Sequence, residues 1–91
     1  MKHHRHFENA SEAALRKAGQ IRTLIADLGR IIHMLDRDIA IEEERAHVSD
    51  RSDAGYPILA MALRARRDNL NDSIAVLQRR LAFSQGGPAR F

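Results

Sequence analysis

The sequence feature that most constrains the fold is an apolar repeat between residues 15 and 48. Within this stretch apolar residues recur at alternating spacings of four and three, as at positions a and d of a heptad lettered a to g. These residues are Ile21, Ile25, Leu28, Ile32, Leu35 and Ile39. The spacing predicts one long amphipathic helix whose apolar stripe packs against another helix.

A second set of apolar residues widens this stripe on one side. Leu24 and Ile31 fall at position g, and Met34, Ile41 and Val48 fall at position c. The apolar arc is then on the order of 150° wide, which is typical of a helix in a bundle rather than of a two-stranded coiled coil. We therefore expect this helix to contact more than one neighbour.

The start and end of the first helix follow from local signals. Asn9 and Glu12 fit a capping box, which predicts a helix from residue 9 to residue 48. Gly19 and Gly29 lie inside this helix, either as tolerated residues or as the site of a mild bend. Residues 1–8 are basic and rich in histidine, and we expect them to be disordered.

A second, shorter helix follows a polar turn. Residues 49–55 are small and polar, as in segments that close turns with local hydrogen bonds. Pro57 suits the first turn of a helix, so the second helix is predicted over residues 57–83. Two glycines and a proline then end the hairpin, which occupies residues 9–85. We expect residues 86–91 to be disordered.

A short connection makes two helices antiparallel neighbours, so the predicted fold is an all-α antiparallel two-helix hairpin. A turn centred near Ser52 places Leu77 opposite Leu28. The longer helix then extends past the shorter one by about a dozen residues, given the rise of 1.5 Å per residue. This overhang contains Leu15 and Ala18, which are predicted to lack cover within the chain.

The c and g residues of the two helices are predicted to form one apolar surface. Antiparallel pairing places g beside g, so both sets lie on the same side of the hairpin. This surface, called the flank face below, comprises Leu24, Ile31, Met34, Ile41, Leu59, Val76 and Phe83. A continuous apolar face on so small a protein indicates an interface. The simplest use is a homodimeric four-helix bundle, and another helical protein is the alternative partner.

Charged residues are predicted to pair across the hairpin. Arg67 interrupts the a row of the second helix, and burying a charge without a partner is costly. Asp36 or Asp38 is therefore its predicted partner. Arg64 is likewise predicted to lie near the acidic pair at residues 42–43.

The second half of the chain carries the net charge. Acidic and basic residues balance in residues 1–48, so residues 49–91 supply the formal charge of +3. Arg22, Arg79 and Arg80 are predicted to form a basic end without acidic neighbours. Basic helices can bind phosphates, which makes a small nucleic-acid-binding regulator the alternative function. No aromatic residues are interleaved with these arginines, however, as they are in single-strand binders.

No constellation of residues predicts catalysis or metal binding. Glu44 and His47 form an E-x-x-H motif, which supplies two ligands in carboxylate-bridged four-helix metal proteins, but the second helix contains no glutamate. His33 has no serine, cysteine or carboxylate in a triad arrangement. A metal role is not expected for the N-terminal histidines His3, His4 and His6. The predicted protein is therefore not an enzyme, with no catalytic residue, cofactor, metal or small-molecule substrate.

The chain also predicts no membrane association. No apolar run approaches the length of a membrane span, and no apolar stretch follows the charged start as in a secretory signal. The absence of cysteine favours a cytoplasmic location, because small secreted scaffolds commonly carry disulfides. The predicted function is a non-enzymatic helical interaction or assembly module that acts through coiled-coil-like packing.

Overall fold

The computed structural model consists of two helices that pack as a hairpin. It describes the backbone of residues 2–84 and the side chains of residues 11–83. Helix α1 spans Lys2–Ala46 and helix α2 spans Ile58–Ser84. Ion pairs join Glu43 to Arg64 and Asp36 to Arg67, so positions decrease along α1 as they increase along α2. The predicted all-α antiparallel hairpin is confirmed.

Helix α1 begins earlier than the capping signal predicts. It starts at Lys2, so Asn9 lies inside the helix and does not cap it, and the backbone of residues 2–8 is helical rather than irregular. These residues include no glycine or proline, and each residue added to a growing helix gains one backbone hydrogen bond. The predicted tail at residues 86–91 lies outside the described residues.

The core follows the two predicted stripes. In α1 every a and d residue from Ile21 to Ile39 is buried or half-buried, and Leu35 and Ile39 are the most enclosed. In α2 Ala60 is buried, and the predicted a and d leucines and isoleucine beyond it are half-buried. Few side chains are fully enclosed, because a pair of helices covers each stripe from one side only.

One end of α1 is better covered than the sequence predicts. Leu15 is 73% exposed, as expected for an overhang, but Ala18 is only 5% exposed and belongs to the core. The prediction that Ala18 lacks cover is therefore wrong. Helix α2 continues to Ser84, one residue beyond its predicted end.

Helix α1 ends in a Schellman motif centred on a histidine. The backbone N–H of His47 donates to the carbonyl of Glu44, and the N–H of Val48 donates to the carbonyl of Glu43, both at 3.1 Å. His47 has a positive φ of 58°. This left-handed position usually holds glycine, because a Cβ atom there is strained. The helix consequently stops at Ala46 and not at residue 48.

Local hydrogen bonds shape the turn between the helices. The Asp50 carboxylate accepts from the backbone N–H and the hydroxyl of Ser52, at 3.0 and 2.8 Å. These two bonds, the backbone bond first, lower the pKa of Asp50. The Asp53 carboxylate accepts from the N–H of Gly55 at 2.7 Å. The Pro57 carbonyl then accepts from Met61, which starts the hydrogen-bonding pattern of α2.

Packing within the hairpin does not explain the two glycines of α1. The helix is continuous through Gly19 and Gly29, and a Cβ atom at either position would meet no atom within 4 Å. Alanine would therefore fit at both positions without any shift of the surrounding atoms.

The hairpin is a single layer of helices with two broad faces. It measures 69 × 26 × 13 Å, so its thinnest dimension is about the diameter of one helix with its side chains. Each helix therefore has surface that the other helix does not cover.

Neither helix, over the described residues, has an apolar stretch long enough to cross a membrane.

The strained cap at His47 predicts a stabilising substitution. His47→Gly removes the Cβ strain and should raise the free energy of unfolding by about 1 kcal/mol. His33→Gly is the matched control, since this exposed histidine lies within α1 and glycine there should lower stability by up to about 1 kcal/mol. Denaturant unfolding at fixed protein concentration measures both changes. A loss of stability in His47→Gly would contradict the assigned cap.

Candidate interaction face

The flank face is exposed along its whole length. All seven of its side chains are large and exposed, from Ile31 at 36% to Phe83 at 64%. They lie on both helices, as the heptad positions require: Leu24, Ile31, Met34 and Ile41 in α1, and Leu59, Val76 and Phe83 in α2. Scattered apolar residues are ordinary on protein surfaces, but an aligned set on two neighbouring helices is characteristic of a contact surface.

One end of the flank face forms a groove between the helices. This groove has a volume of about 440 Å³, and its apolar side chains are Ile21 and Leu24 from α1 and Leu77 from α2. Three polar side chains complete its lining: Lys17, Gln20 and Arg80. The groove shows that the two helices leave apolar surface between them at this end, which a further side chain could fill.

Other exposed apolar residues lie away from the flank face. Ile58 and Met61 occupy heptad positions f and b of α2, on the side turned away from α1. Met61 lines a separate shallow depression with Arg51 and Asp68. Met61 and Met34 are similarly exposed, at 55% and 60%. Met61 thus provides a surface methionine outside the flank face with which Met34 can be compared.

A polar cluster fixes the turn end of the hairpin. The Tyr56 hydroxyl donates to the Glu43 carboxylate at 2.7 Å and accepts from Nε of Arg64 at 2.7 Å. Arg64 also donates to the same Glu43 oxygen at 3.1 Å. The Tyr56 side chain is 5% exposed, and the Arg64 guanidinium lies 5.8 Å from the centre of its ring. One residue from α1, one from the turn and one from α2 are thereby joined.

The polar cluster changes the acidity of its members. The hydrogen bond from Tyr56, followed by that from Arg64, lowers the pKa of Glu43. The hydrogen bond that Arg64 donates to Tyr56, followed by the one it donates to Glu43, raises the pKa of Arg64. Each bond favours the charged form of the group, so Glu43 stays ionised to a lower pH than a free carboxylate does.

A second ion pair joins the middle of the two helices. Arg67 donates to Asp36 at 3.0 Å and to its neighbour Asp68 at 3.1 Å. The hydrogen bond with Asp36, then that with Asp68, raises the pKa of Arg67. The prediction that Arg67 pairs with Asp36 or Asp38 is confirmed for Asp36. Asp38 is exposed and forms no ion pair with a described residue.

Tyr56 is the structural residue that the sequence analysis missed. The spacing of charges along the two helices predicts the proximity of Arg64 to Glu43, which the structure confirms, but it indicates no role for the tyrosine. An aromatic residue directly before Pro57, at the junction of a polar turn and a helix, was the available signal. A phenol adds a donor and an acceptor to an apolar ring, which suits the entrance of a helix pair.

The residues considered for metal binding do not converge. The described residues contain no group of three or more histidine or acidic side chains placed to hold a metal ion. Glu44 and His47 are both exposed, and His47 serves as the helix cap. The side chains of His3, His4 and His6 lie outside the described residues.

The three arginines of the alternative function are exposed. Arg22, Arg79 and Arg80 form no ion pair with a described residue. Arg80 lines the groove beside Lys17, whereas Arg22 and Arg79 do not line it. These arginines thus have no carboxylate partner within residues 11–83, but they are distributed over more than one side of the hairpin.

Comparison with known proteins adds no assignment. No family model, no curated protein and no solved structure matches this chain.

The Glu43 cluster predicts a pH-dependent stability. The folded-state pKa of Glu43 lies below its ordinary value of 4.5. The contribution of the ionised Glu43 carboxylate to the free energy of unfolding is therefore complete above pH 4.5. The contribution is lost as the pH falls through the lowered folded-state pKa. Glu43→Gln should therefore be less stable than the native chain at neutral pH, and the difference should shrink on acidification.

Glu44→Gln is the control, because the Glu44 side chain forms no hydrogen bond with a described residue. Thermal unfolding at a series of pH values and one protein concentration measures the difference. If the stability difference between Glu43→Gln and the native chain stayed constant down to the lowest pH at which the chain folds, the assigned role of the carboxylate would be contradicted.

Proposed function

We propose that this protein is a non-enzymatic helical interaction module that packs its flank face against the helices of another subunit. The observation that carries the proposal is the exposure of seven large apolar side chains aligned along one side of the hairpin. The proposed subunit is a second copy of the chain, which gives a homodimeric four-helix bundle with coiled-coil-like packing. A second copy supplies an equally apolar face without requiring any other protein.

The surface area of the hairpin supports an assembly. The chain exposes 7226 Å², whereas a compact folded monomer of 10.3 kDa exposes about 5,400 Å² by the usual scaling with mass. The excess is roughly 1,800 Å². A stable interface of standard size buries about 800 Å² on each partner, so a face-to-face dimer of standard size accounts for a little under half of this excess.

The small core supports the same proposal. Among the side chains of residues 11–83, five apolar ones are buried: Ala18, Leu35, Ile39, Tyr56 and Ala60. Two of them are alanines, which contribute little apolar area. Domains of this size commonly need oligomerisation to stabilise one folded state. The cytoplasm remains the proposed compartment, since the chain contains no cysteine for a disulfide framework.

Nucleic-acid binding is the second candidate function. Its supporting observation is that Arg22, Arg79 and Arg80 are exposed without a carboxylate partner among the described residues. Such cations would bind phosphates of any sequence and release counterions on binding. This function uses the charged end of the hairpin and leaves the flank face without a role, which is why it ranks second.

Charge substitutions on the flank face test the first proposal. Ile31→Asp combined with Met34→Asp should leave the helix content unchanged and weaken self-association by about 100-fold or more. Loss of two buried apolar side chains removes roughly 3 kcal/mol or more of interface free energy. Sedimentation equilibrium measures the association constant, and circular dichroism measures the helix content.

Met61→Asp is the matched control, because Met61 is as exposed as Met34 but lies outside the flank face. This variant should keep the native mass. If the double variant retained the native mass while remaining helical, the flank face would not be the interface.

Arginine substitutions test the second candidate. If the alternative is right, duplex DNA binding should fall steeply with added salt, and Arg79→Ala with Arg80→Ala should remove it, because each arginine neutralises a phosphate. Fluorescence anisotropy with a labelled duplex measures the affinity. No binding at low salt would remove nucleic acid from consideration.

A further inference from the structure

We infer that the flank face binds a second copy of itself about one defined two-fold axis, so that α1 packs antiparallel on α1 of the second copy and α2 on α2. The inference rests on the proposed function, since it specifies the partner and the register of the same face. A two-fold axis requires a self-complementary surface, in which residue i of one copy contacts residue j of the other and the reverse.

The apolar residues of α1 are self-complementary. Leu24, Ile31, Met34 and Ile41 are separated by seven, three and seven positions, a spacing that reads the same in both directions. Antiparallel packing centred between Ile32 and His33 places Ile31 opposite Met34 of the second copy. It also places Leu24 opposite Ile41, so every apolar residue of this row meets another apolar residue.

The same face of α2 is self-complementary about a centre at Asn71. Leu59 then lies opposite Phe83 of the second copy, and Asn69 lies opposite Ser73. Val76 lies opposite Arg66, whose aliphatic stem can cover an apolar side chain while its guanidinium stays in water. The two largest apolar residues of this row, Leu59 and Phe83, thus meet each other, and the short polar residues meet at the centre.

The two centres lie at nearly the same height on the hairpin, as a single axis requires. Asp36 follows the α1 centre by one helical turn, and Arg67 precedes the α2 centre by one turn. These two side chains are joined by an ion pair at 3.0 Å. Because the helices are antiparallel, nearly equal displacements from a joined pair bring the two centres to within about one helical turn of each other, so one axis passes close to both.

Packing of α1 on α2 of the second copy is the main alternative, and its pairs are poorer. With the heights set by the same ion pair, Ile31 would lie over Ser73 of the second copy and Met34 over Asn69. Leu24 would lie over Arg80. Three apolar side chains would then face polar ones, at the cost of burying polar groups without partners.

A shift of the register by half a heptad is the second alternative. It would place Ile31 opposite Ile41, Leu24 opposite Val48 and Leu59 opposite Val76. However, it would place Met34 opposite Asp38, and it would leave Phe83, the largest side chain of the flank face, without a counterpart. The inferred register avoids these losses. It places Asp27 opposite Asp38, but Asp27 is already paired with Arg30 of its own helix, whose charge reduces the repulsion.

The groove at the end of the flank face fits the inferred register. Leu24 lines this groove together with Ile21 and Leu77. In the inferred dimer Leu24 contacts Ile41 of the second copy, so the isoleucine side chain enters the groove and covers its apolar floor. The two-fold axis repeats the arrangement at the other end, and both grooves are filled.

Disulfide cross-linking tests the axis, since the natural chain contains no cysteine. Leu24→Cys with Ile41→Cys places two thiols about 25 Å apart on one helix at 1.5 Å per residue. This distance is too long for a disulfide within the chain, whose Cβ atoms must lie about 3.8 Å apart. Mild oxidation should convert most of the double variant to a covalent dimer.

Leu59→Cys with Phe83→Cys should also give a covalent dimer, which tests the α2 centre independently. Ile41→Cys with Ala62→Cys is the control, because these residues meet between copies only if α1 packs on α2. Ile31→Cys with Ile41→Cys reports the shifted register. Both control variants should give little covalent dimer under the same oxidation, and each single-cysteine variant sets the background.

The outcomes separate the axis from the function. The axis would be overturned if the native chain is a dimer, the Leu24→Cys with Ile41→Cys variant does not cross-link, and one of the two control variants does. The proposed function as an interaction module would not be affected by that result. A native chain that sediments as a monomer at every concentration would overturn both the axis and the homodimer.

Discussion

Two helices can bury only the stripes that face each other, and the rest of this structure depends on that limit. The stripe of α1 is wider than α2 can cover, so Leu35 and Ile39 are enclosed while Met34 and Ile41 on the adjoining flank remain exposed. The hydrophobic contribution of a side chain is realised only when it leaves water. The exposed flank therefore favours association with further helices.

The apolar stripes alone specify the register between the two helices only loosely. Polar contacts between the helices fix this register. The cluster of Tyr56, Glu43 and Arg64 fixes the turn end, and the pair of Asp36 and Arg67 fixes the middle. Partly exposed ion pairs contribute little stability each. Their position matters more here, because a shift along the helix axis would break them and misalign the flank face.

The sequence predicted the features that arise from periodicity and missed those that arise from local geometry. The apolar stripes follow from spacing, the antiparallel hairpin follows from the short turn, and the structure confirms both. The spacing left Asp36 and Asp38 open as partners of Arg67, and the structure selects Asp36. The histidine cap was missed because a positive φ is expected at glycine, and here His47 adopts it.

The cover of Ala18 and the role of Tyr56 depend on side-chain reach at the two ends of the hairpin. Heptad spacing does not encode this reach. The start of α1 also differs from the predicted one, because no helix breaker precedes the capping signal at Asn9 and the helix continues through it.

The most direct test of the account is the mass of the native chain in solution, measured by sedimentation equilibrium across a wide concentration range. The account predicts a reversible dimer of twice the 10.3 kDa chain mass that persists at low concentration. A well-folded monomer at every concentration would contradict it, because the flank face would then be exposed without any need for a second copy.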